Sequence, residues 1–501
     1  MRQVDLIGND RGNHGYAHFH QEMRTATVPA NTEKGNGGQA RVLGLFSLAM
    51  INIIAIASLR DLPQMASYGL SLIFFYVLAA LVFFIPVSLV AAELATAWPE
   101  RGGVYVWVRE AFGKRWGFLA ISLQWSEDVF WYPVVLTFGA ASLAFAVAPE
   151  HSAELAESKF FIVGVVLVVF WFSVFLNFFG LSSCARICIV GAFAGIFIPG
   201  LALIVLAGIG LLDGAPSTLL ENGDQLTPDL AKPSNLTFAV SVCLAFAGME
   251  MTAAHAREVR SPERNYPFAI LIAAVVILTV FILGALSISN TLGPGQFELQ
   301  SGVPEALRTM LARYGLEEWA RLAALGMALG VFGSVNAWIV GPSKGLLAAA
   351  EDGALPAALC KVNKKHVPTR ILLIQGGIVS LVCVAFTLQP TVESAYFMIS
   401  MLAVQMYLVM YFMMFLAALR LRKIHPERSG TFRIPGGTPG LWVTCGIGGL
   451  GALFAIVIGF YPPNQLSDSG MNPTSFTYFL IIGLSVGLIL PLAIAYVRRL
   501  K

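Results

Sequence analysis

The chain has 501 residues, of which 57% are hydrophobic and only 12% charged. Soluble domains carry about a quarter of their residues as charge, so one water-soluble core is excluded and the composition is that of a membrane protein. The formal net charge of +3 is a topology signal, set by where Arg and Lys fall, and points to no nucleic-acid partner.

Residues 1–40 are polar, Gly-rich and mixed in charge, unlike the apolar core of a secretory signal. They are expected to form a disordered cytoplasmic tail, with no cleavable signal ahead of the first span. His14, His18 and His20 in "HGYAHFH" lack carboxylate or cysteine partners at ligand spacing, so no metal is expected there. Beyond the tail, apolar stretches of about 20 residues recur, each long enough to cross roughly 30 Å of hydrocarbon as a helix. About twelve spans are predicted, near residues 42–67, 70–97, 116–147, 160–180, 186–211, 236–256, 267–290, 319–346, 371–388, 394–419, 439–461 and 475–497. The expected fold class is therefore an all-α polytopic membrane protein. With a cytoplasmic N-terminus, the tails and inner loops hold about 26 of the 32 basic residues, which predicts both termini inside. Cys184, Cys188, Cys243, Cys360, Cys383 and Cys445 fall in spans or inner loops and are expected to act as small apolar filler.

Certain motifs are missing. The sequence has no G-x-x-x-x-G-K-[ST] phosphate cradle, so ATP is not expected to drive the protein, and no H-E-x-x-H pair lies in a span. Neither a cofactor nor a catalytic constellation is predicted. Any activity has to be built from the helices.

A charge at mid-bilayer costs roughly 2.5–3.5 kcal/mol on insertion scales and must face protein or water. The candidates are Arg60 and Asp61 in span 1, Glu93 in span 2, Glu127 and Asp128 in span 3, Glu250 in span 6 and Lys344 in span 8. Glu93 and Lys344 lie near cytoplasmic ends, where snorkelling and capping suffice. Span 1 is longer than a straight crossing needs, and Pro63 removes one donor and clashes with the carbonyl of Leu59. Span 6 carries "CLAFAGMEMTAAH", where Gly248 and small neighbours precede Glu250. Weak points in spans 1 and 6 fit a five-plus-five inverted repeat, in which broken helices expose N–H groups to a substrate carboxylate and C=O groups to a cation. Close helix packing by small residues is the alternative.

The stretch "FFIPVSLVAAELATAWPERGGVYVWVREAFGKRWGFLAIS" (83–122) resembles the second and third helices of the glutamate:γ-aminobutyrate antiporter family, within the amino acid–polyamine–organocation superfamily. "FAGMEMTAAHAREVRSPERNYP" (246–267), "AWIVGPSKGLLAAAEDGALPAALCKVNKKHVP" (337–368) and "FRIPGG" (432–437) follow in family order. The resemblance runs from about residue 41 to the C-terminus. It implies a ten-helix transport core over 41–420, a cytoplasmic loop over 421–438, and helices 11 and 12 with a short cytoplasmic tail over 439–501. It further implies alternating access in a cytoplasmic membrane, with no enzymatic step and the lipid bilayer and a small amino acid as partners; a homo-oligomer stays open.

Carried over by position, Ile56, Ala57 and Ser58 would be the unwound segment holding a substrate carboxylate, in place of the superfamily's glycine-rich version. Ala245, Phe246 and Ala247 would offer carbonyls to the ammonium. Leu244 stands at or near a position where superfamily members often carry a gating tryptophan. Trp338 would pack against the substrate, and Gln124 and Glu127 would lie on the lining face of helix 3. Arg60 would then either fork onto an acidic substrate's second carboxylate or be held in a structural salt bridge, with Glu127 or Asp128 as its expected partner. Adjacent helical residues point about 100° apart, so Arg60 and Asp61 are not expected to pair. Glu250 either couples a proton or braces the broken helix 6. The function implied is exchange of small acidic or neutral amino acids, or their decarboxylation products, with glutamate and γ-aminobutyrate as types. A proton-coupled amino acid or amine symporter is the alternative, and a non-transporting sensor or enzyme the alternative of another class. The chain stops at "YVRRLK" after helix 12, so no C-terminal plug of the cytoplasmic mouth is expected.

Overall fold

A computed structural model describes residues 44–100, 102–179, 189–217, 259–293, 301–365, 367–428, 432–462 and 472–500, together with 219, 226–228, 230, 236–237, 240, 242–243, 245–250 and 430. The N-terminal histidines, Leu244, Cys184 and Cys188 lie outside the described residues.

The described residues are helical, with ten helices long and apolar enough to cross a bilayer. The first predicted span is two pieces, α1 (Leu45–Ile56) and α2 (Leu62–Ala66). It is followed by α3 (Gly69–Ala97), the short α4 (Val104–Phe112), α5 (Lys114–Val147), α6 (Lys159–Asn177) and α7 (Ile189–Leu212). The segment predicted as span 6 is described only in part. Then come α8 (Arg264–Leu292), α9 (Gly302–Ala312), α10 (Trp319–Glu351), α11 (Thr369–Thr387), α12 (Val392–Ile424), α13 (Gly437–Ile458) and α14 (Pro473–Val497). The ten spanning helices start and end within a few residues of the predicted spans.

Burial separates the helices by role. In its most apolar stretch α5 is 78% buried and α12 72%, whereas α14 is 28% buried and α6 33%. An all-round hydrophobic helix that leaves most of its surface uncovered faces lipid, and Val168, Phe172 and Phe175 on α6 are exposed accordingly. The long α5 and α12 form the interior, with α5 packed along α10 and α12. The crossing of α7 with α10 depends on missing side chains: a Cβ on Gly195 would stand 2.5 Å from the Gly330 Cα. Both α3 and α7 carry a π-turn, Ala80–Phe84 and Phe193–Phe197, just ahead of Pro86 and Pro199. There the lost proline N–H already interrupts the ordinary ladder.

α4 is not among the predicted spans. It is a short amphipathic helix entered through Gly102 and Gly103, both at positive φ. Its Tyr105 hydroxyl donates to Asp352 at 2.6 Å, and Arg109 Nη1 reaches the same carboxylate at 2.8 Å, just past the end of α10. Partial burial pushes the Asp352 carboxyl up, but the hydrogen bonds from Tyr105 and Arg109 outweigh it and hold the group below its ordinary 3.8. Glu93 near the end of α3 is more than capped. It accepts a forked pair from Arg422 of α12 and a third bond from the Ile434 N–H at 2.8 Å, which ties "FRIPGG" to the bundle.

Candidate substrate site

The two weak points seen in the sequence face each other. α1 stops at Ile56; Ala57 takes an extended conformation (φ −63°, ψ 123°), and helix resumes only at Leu62 with Pro63 in its first turn. Proline is tolerated there because its missing N–H is one of the unpaired donors of a helix start. Among the described residues the N–H groups of Ser58 and Leu59 find no hydrogen-bond acceptor, while Arg60 N donates to Ser58 Oγ at 3.3 Å. In the sixth segment, helical pairing ends at Phe246, whose N–H bonds the Val242 carbonyl, and Gly248 sits at φ +119°. A Cβ on Gly248 would stand 2.8 Å from Trp338 Cζ2 and 3.5 Å from Ile56 Cγ1, so the absence of a side chain is what lets the two breaks and α10 meet.

Between them lies a cavity of about 30 Å³, lined by Ile56, Ala57, Ser58, Ala245, Ala247 and Trp338 and also by Arg60, Asp61, Glu127, Trp131, Ser334 and Tyr407. That is room for a water or two. Of the residues carried over from the sequence, Phe246 and Gln124 do not line it. Phe246 is buried and stacks on Phe84 at 5.1 Å. Gln124 instead donates through Nε2 to Glu250 Oε1 at 3.1 Å.

Glu250 is held from three sides. Besides Gln124, the Tyr407 hydroxyl donates to Oε1 and the Tyr411 hydroxyl to Oε2 at 2.6 Å. Tyr411 also accepts the Gly248 N–H at 3.0 Å. One hydroxyl on α12 thus joins the amide at the break to the carboxylate two residues on. The three bonds tie Glu250 to α5 and α12 beside the second break. The tyrosines were missed in the sequence. Their i, i+4 spacing puts both hydroxyls on one face of α12, the only signal that would have found them.

The expected partner of Arg60 is wrong. Arg60 pairs with its neighbour: Nε donates to Asp61 Oδ1 at 2.8 Å and Nη2 to Oδ2 at 3.0 Å, both residues buried. The 100° separation sets where adjacent side chains start and not where a long one ends: inside α4, Arg109 likewise donates to its neighbour Glu110, at 3.0 and 2.7 Å. The long Arg60 stem folds its guanidinium back onto the next residue. Glu127 lines the cavity without reaching Arg60, and neither oxygen of Asp128 has a hydrogen-bond partner among the described residues.

The amino acid permease family model matches residues 43–486. The chain belongs to the amino acid permease family. An uncharacterized transporter of Legionella pneumophila is 42% identical over 90% of this chain and 96% of its own length. A glutamate/gamma-aminobutyrate antiporter of Lactococcus lactis is 31% identical over 90% of this chain and 89% of its own. A probable agmatine/putrescine antiporter of the same species is 24% identical over 78% and 82%. The permease is thus a multi-pass membrane transporter of the amino acid–polyamine–organocation superfamily.

Proposed function

We propose that this permease exchanges small amino acids, or their decarboxylation products, by alternating access around the cavity between the two breaks. The observation that carries the reading is the pair of facing interruptions, at 57–61 and 246–248, beneath the Trp338 indole. Amides freed at Ser58 and Leu59 form a cradle for a carboxylate, because unpaired N–H groups in a low-dielectric interior gain most from an anion. The residues at 245–247 supply the opposite pole for an ammonium. Glu250, bonded by Gln124, Tyr407 and Tyr411, holds the second break open. The Arg60–Asp61 pair shapes the vestibule. The names of the Lactococcus antiporters support exchange over one-way uptake, with an amino acid and its decarboxylation product as the first pair to try.

The same reading places the permease in the cytoplasmic membrane with both termini inside, by the distribution of Arg and Lys. It divides the chain into an N-terminal tail over 1–40, the transport core over 41–420, the loop over 421–438 and a peripheral pair over 439–501. The chemistry is transport, with no bond made or broken. Counterflow in proteoliposomes tests it. Uptake of a labelled amino acid should rise when unlabelled substrate is enclosed, whereas uptake that follows an imposed pH gradient and ignores the interior contradicts exchange.

A further inference from the structure

The charges around the cavity do not balance. Arg60 and Asp61 both line it, but the Arg60 fork that would suit a substrate carboxylate is filled by Asp61, leaving Nη1 as its one nitrogen without a partner among the described residues. Glu127 also lines the cavity, only 2% exposed, and its Oε2 accepts no hydrogen bond among the described residues. The next residue on α5, Asp128, is 1% exposed with both oxygens unpartnered among the described residues. Glu250 adds a fourth carboxylate, its oxygens already occupied by Tyr407, Tyr411 and Gln124. The described residues thus set one guanidinium, internally paired, against a surplus of buried acids.

Aromatic rings stand beside that surplus. Trp131 and Trp338 share the cavity wall with ring centroids 5.7 Å apart at 45°, and Tyr407 lines it as well. A buried carboxylate without a donor is costly to keep, and a cation recovers that cost while also gaining from the ring faces. An acidic side chain would add like charge to the same corner.

We propose that Glu127, with Trp131, Trp338 and Tyr407, is a subsite for a cationic group, an ammonium or guanidinium, at the far end of the substrate. The permease then selects amino acids with a basic side chain, or the amines left by their decarboxylation, over acidic amino acids. Asp128, which does not line the cavity, reinforces the negative potential. The assignment rests on the exchange reading and adds to it the chemistry of the substrate's side chain.

The test uses the full-length protein in proteoliposomes with L-lysine, L-glutamine and L-glutamate as probes. These share their α-groups and differ in side-chain charge. Lysine should be exchanged at least about tenfold more efficiently than glutamate, and Glu127→Gln should lower the lysine-to-glutamine ratio by about tenfold. Preference for glutamate over lysine in the wild type, or an unchanged ratio in the variant, overturns the subsite and leaves exchange standing. If none of the three is exchanged by protein that is monodisperse and melts cooperatively, the exchange reading fails and the subsite falls with it. Should Glu127→Gln not fold, the wild-type ranking decides alone.

Discussion

Gly248→Ala separates a broken sixth helix from a continuous one by the sign of its effect. In a regular helix interior, Gly to Ala stabilises by about 0.8–1.0 kcal/mol. Here Gly248 lies at φ +119°, a region that L-residues enter only with strain of order 1–3 kcal/mol. The new methyl would also stand 2.8 Å and 3.0 Å from two carbons of the Trp338 indole. Forcing a methyl into a packed site of this kind costs typically about 1–3 kcal/mol. Together the loss is about 2–6 kcal/mol, relieved only by moving Trp338 out of the cavity wall. The variant should therefore melt at a lower temperature in detergent and lose amino acid uptake in liposomes. A variant that melts at or above the wild-type temperature and transports normally would refute a break at 246–248.

Tyr411→Phe deletes the hydroxyl that joins the Gly248 amide to Glu250 and should cost about 1.5–3 kcal/mol, the range for a bond to a charged group; an unchanged melting curve contradicts the brace. Arg60→Ala strands the buried Asp61 carboxylate and should cost about 3–5 kcal/mol, of which Arg60→Ala/Asp61→Ala recovers a large part. Simple additivity of the single variants argues against the pair. Trp338→Ala should abolish uptake while leaving expression intact, and unchanged kinetics count against its place at the site. Asp352 is held below its ordinary 3.8 in the folded protein, so its latch to Tyr105 and Arg109 contributes stability above that value and loses it as pH falls through the folded one. The melting temperatures of wild type and Asp352→Asn should differ at pH 7 and converge on acidification below 3.8; a constant gap dissociates the latch from that carboxyl.

The spans were legible because a bilayer crossing demands a long apolar run, and little else in a sequence produces one. The first break was legible for a related reason: Pro63 and two charges interrupt a stretch that otherwise belongs in lipid. What happens inside the break was not. Rules of side-chain direction fix where a side chain starts and not where a long one ends, so they separated Arg60 from Asp61, whose charged groups meet. Tyr407 and Tyr411 went unseen because a tyrosine in an apolar helix carries no signal of what its hydroxyl meets. The contacts of Glu93 with Arg422 and Ile434 join residues more than 300 positions apart, and no local pattern encodes that meeting. Position also misjudged Gln124, whose amide turns to Glu250 instead of the cavity.

The most direct measurement is a cryo-EM structure of the permease with an amino acid bound. The account predicts the substrate carboxylate within hydrogen-bond distance of the Ser58 and Leu59 amides and its α-ammonium at the 245–247 backbone. A first helix continuous from Leu45 to Ala66, or a ligand seated away from both breaks, would contradict it.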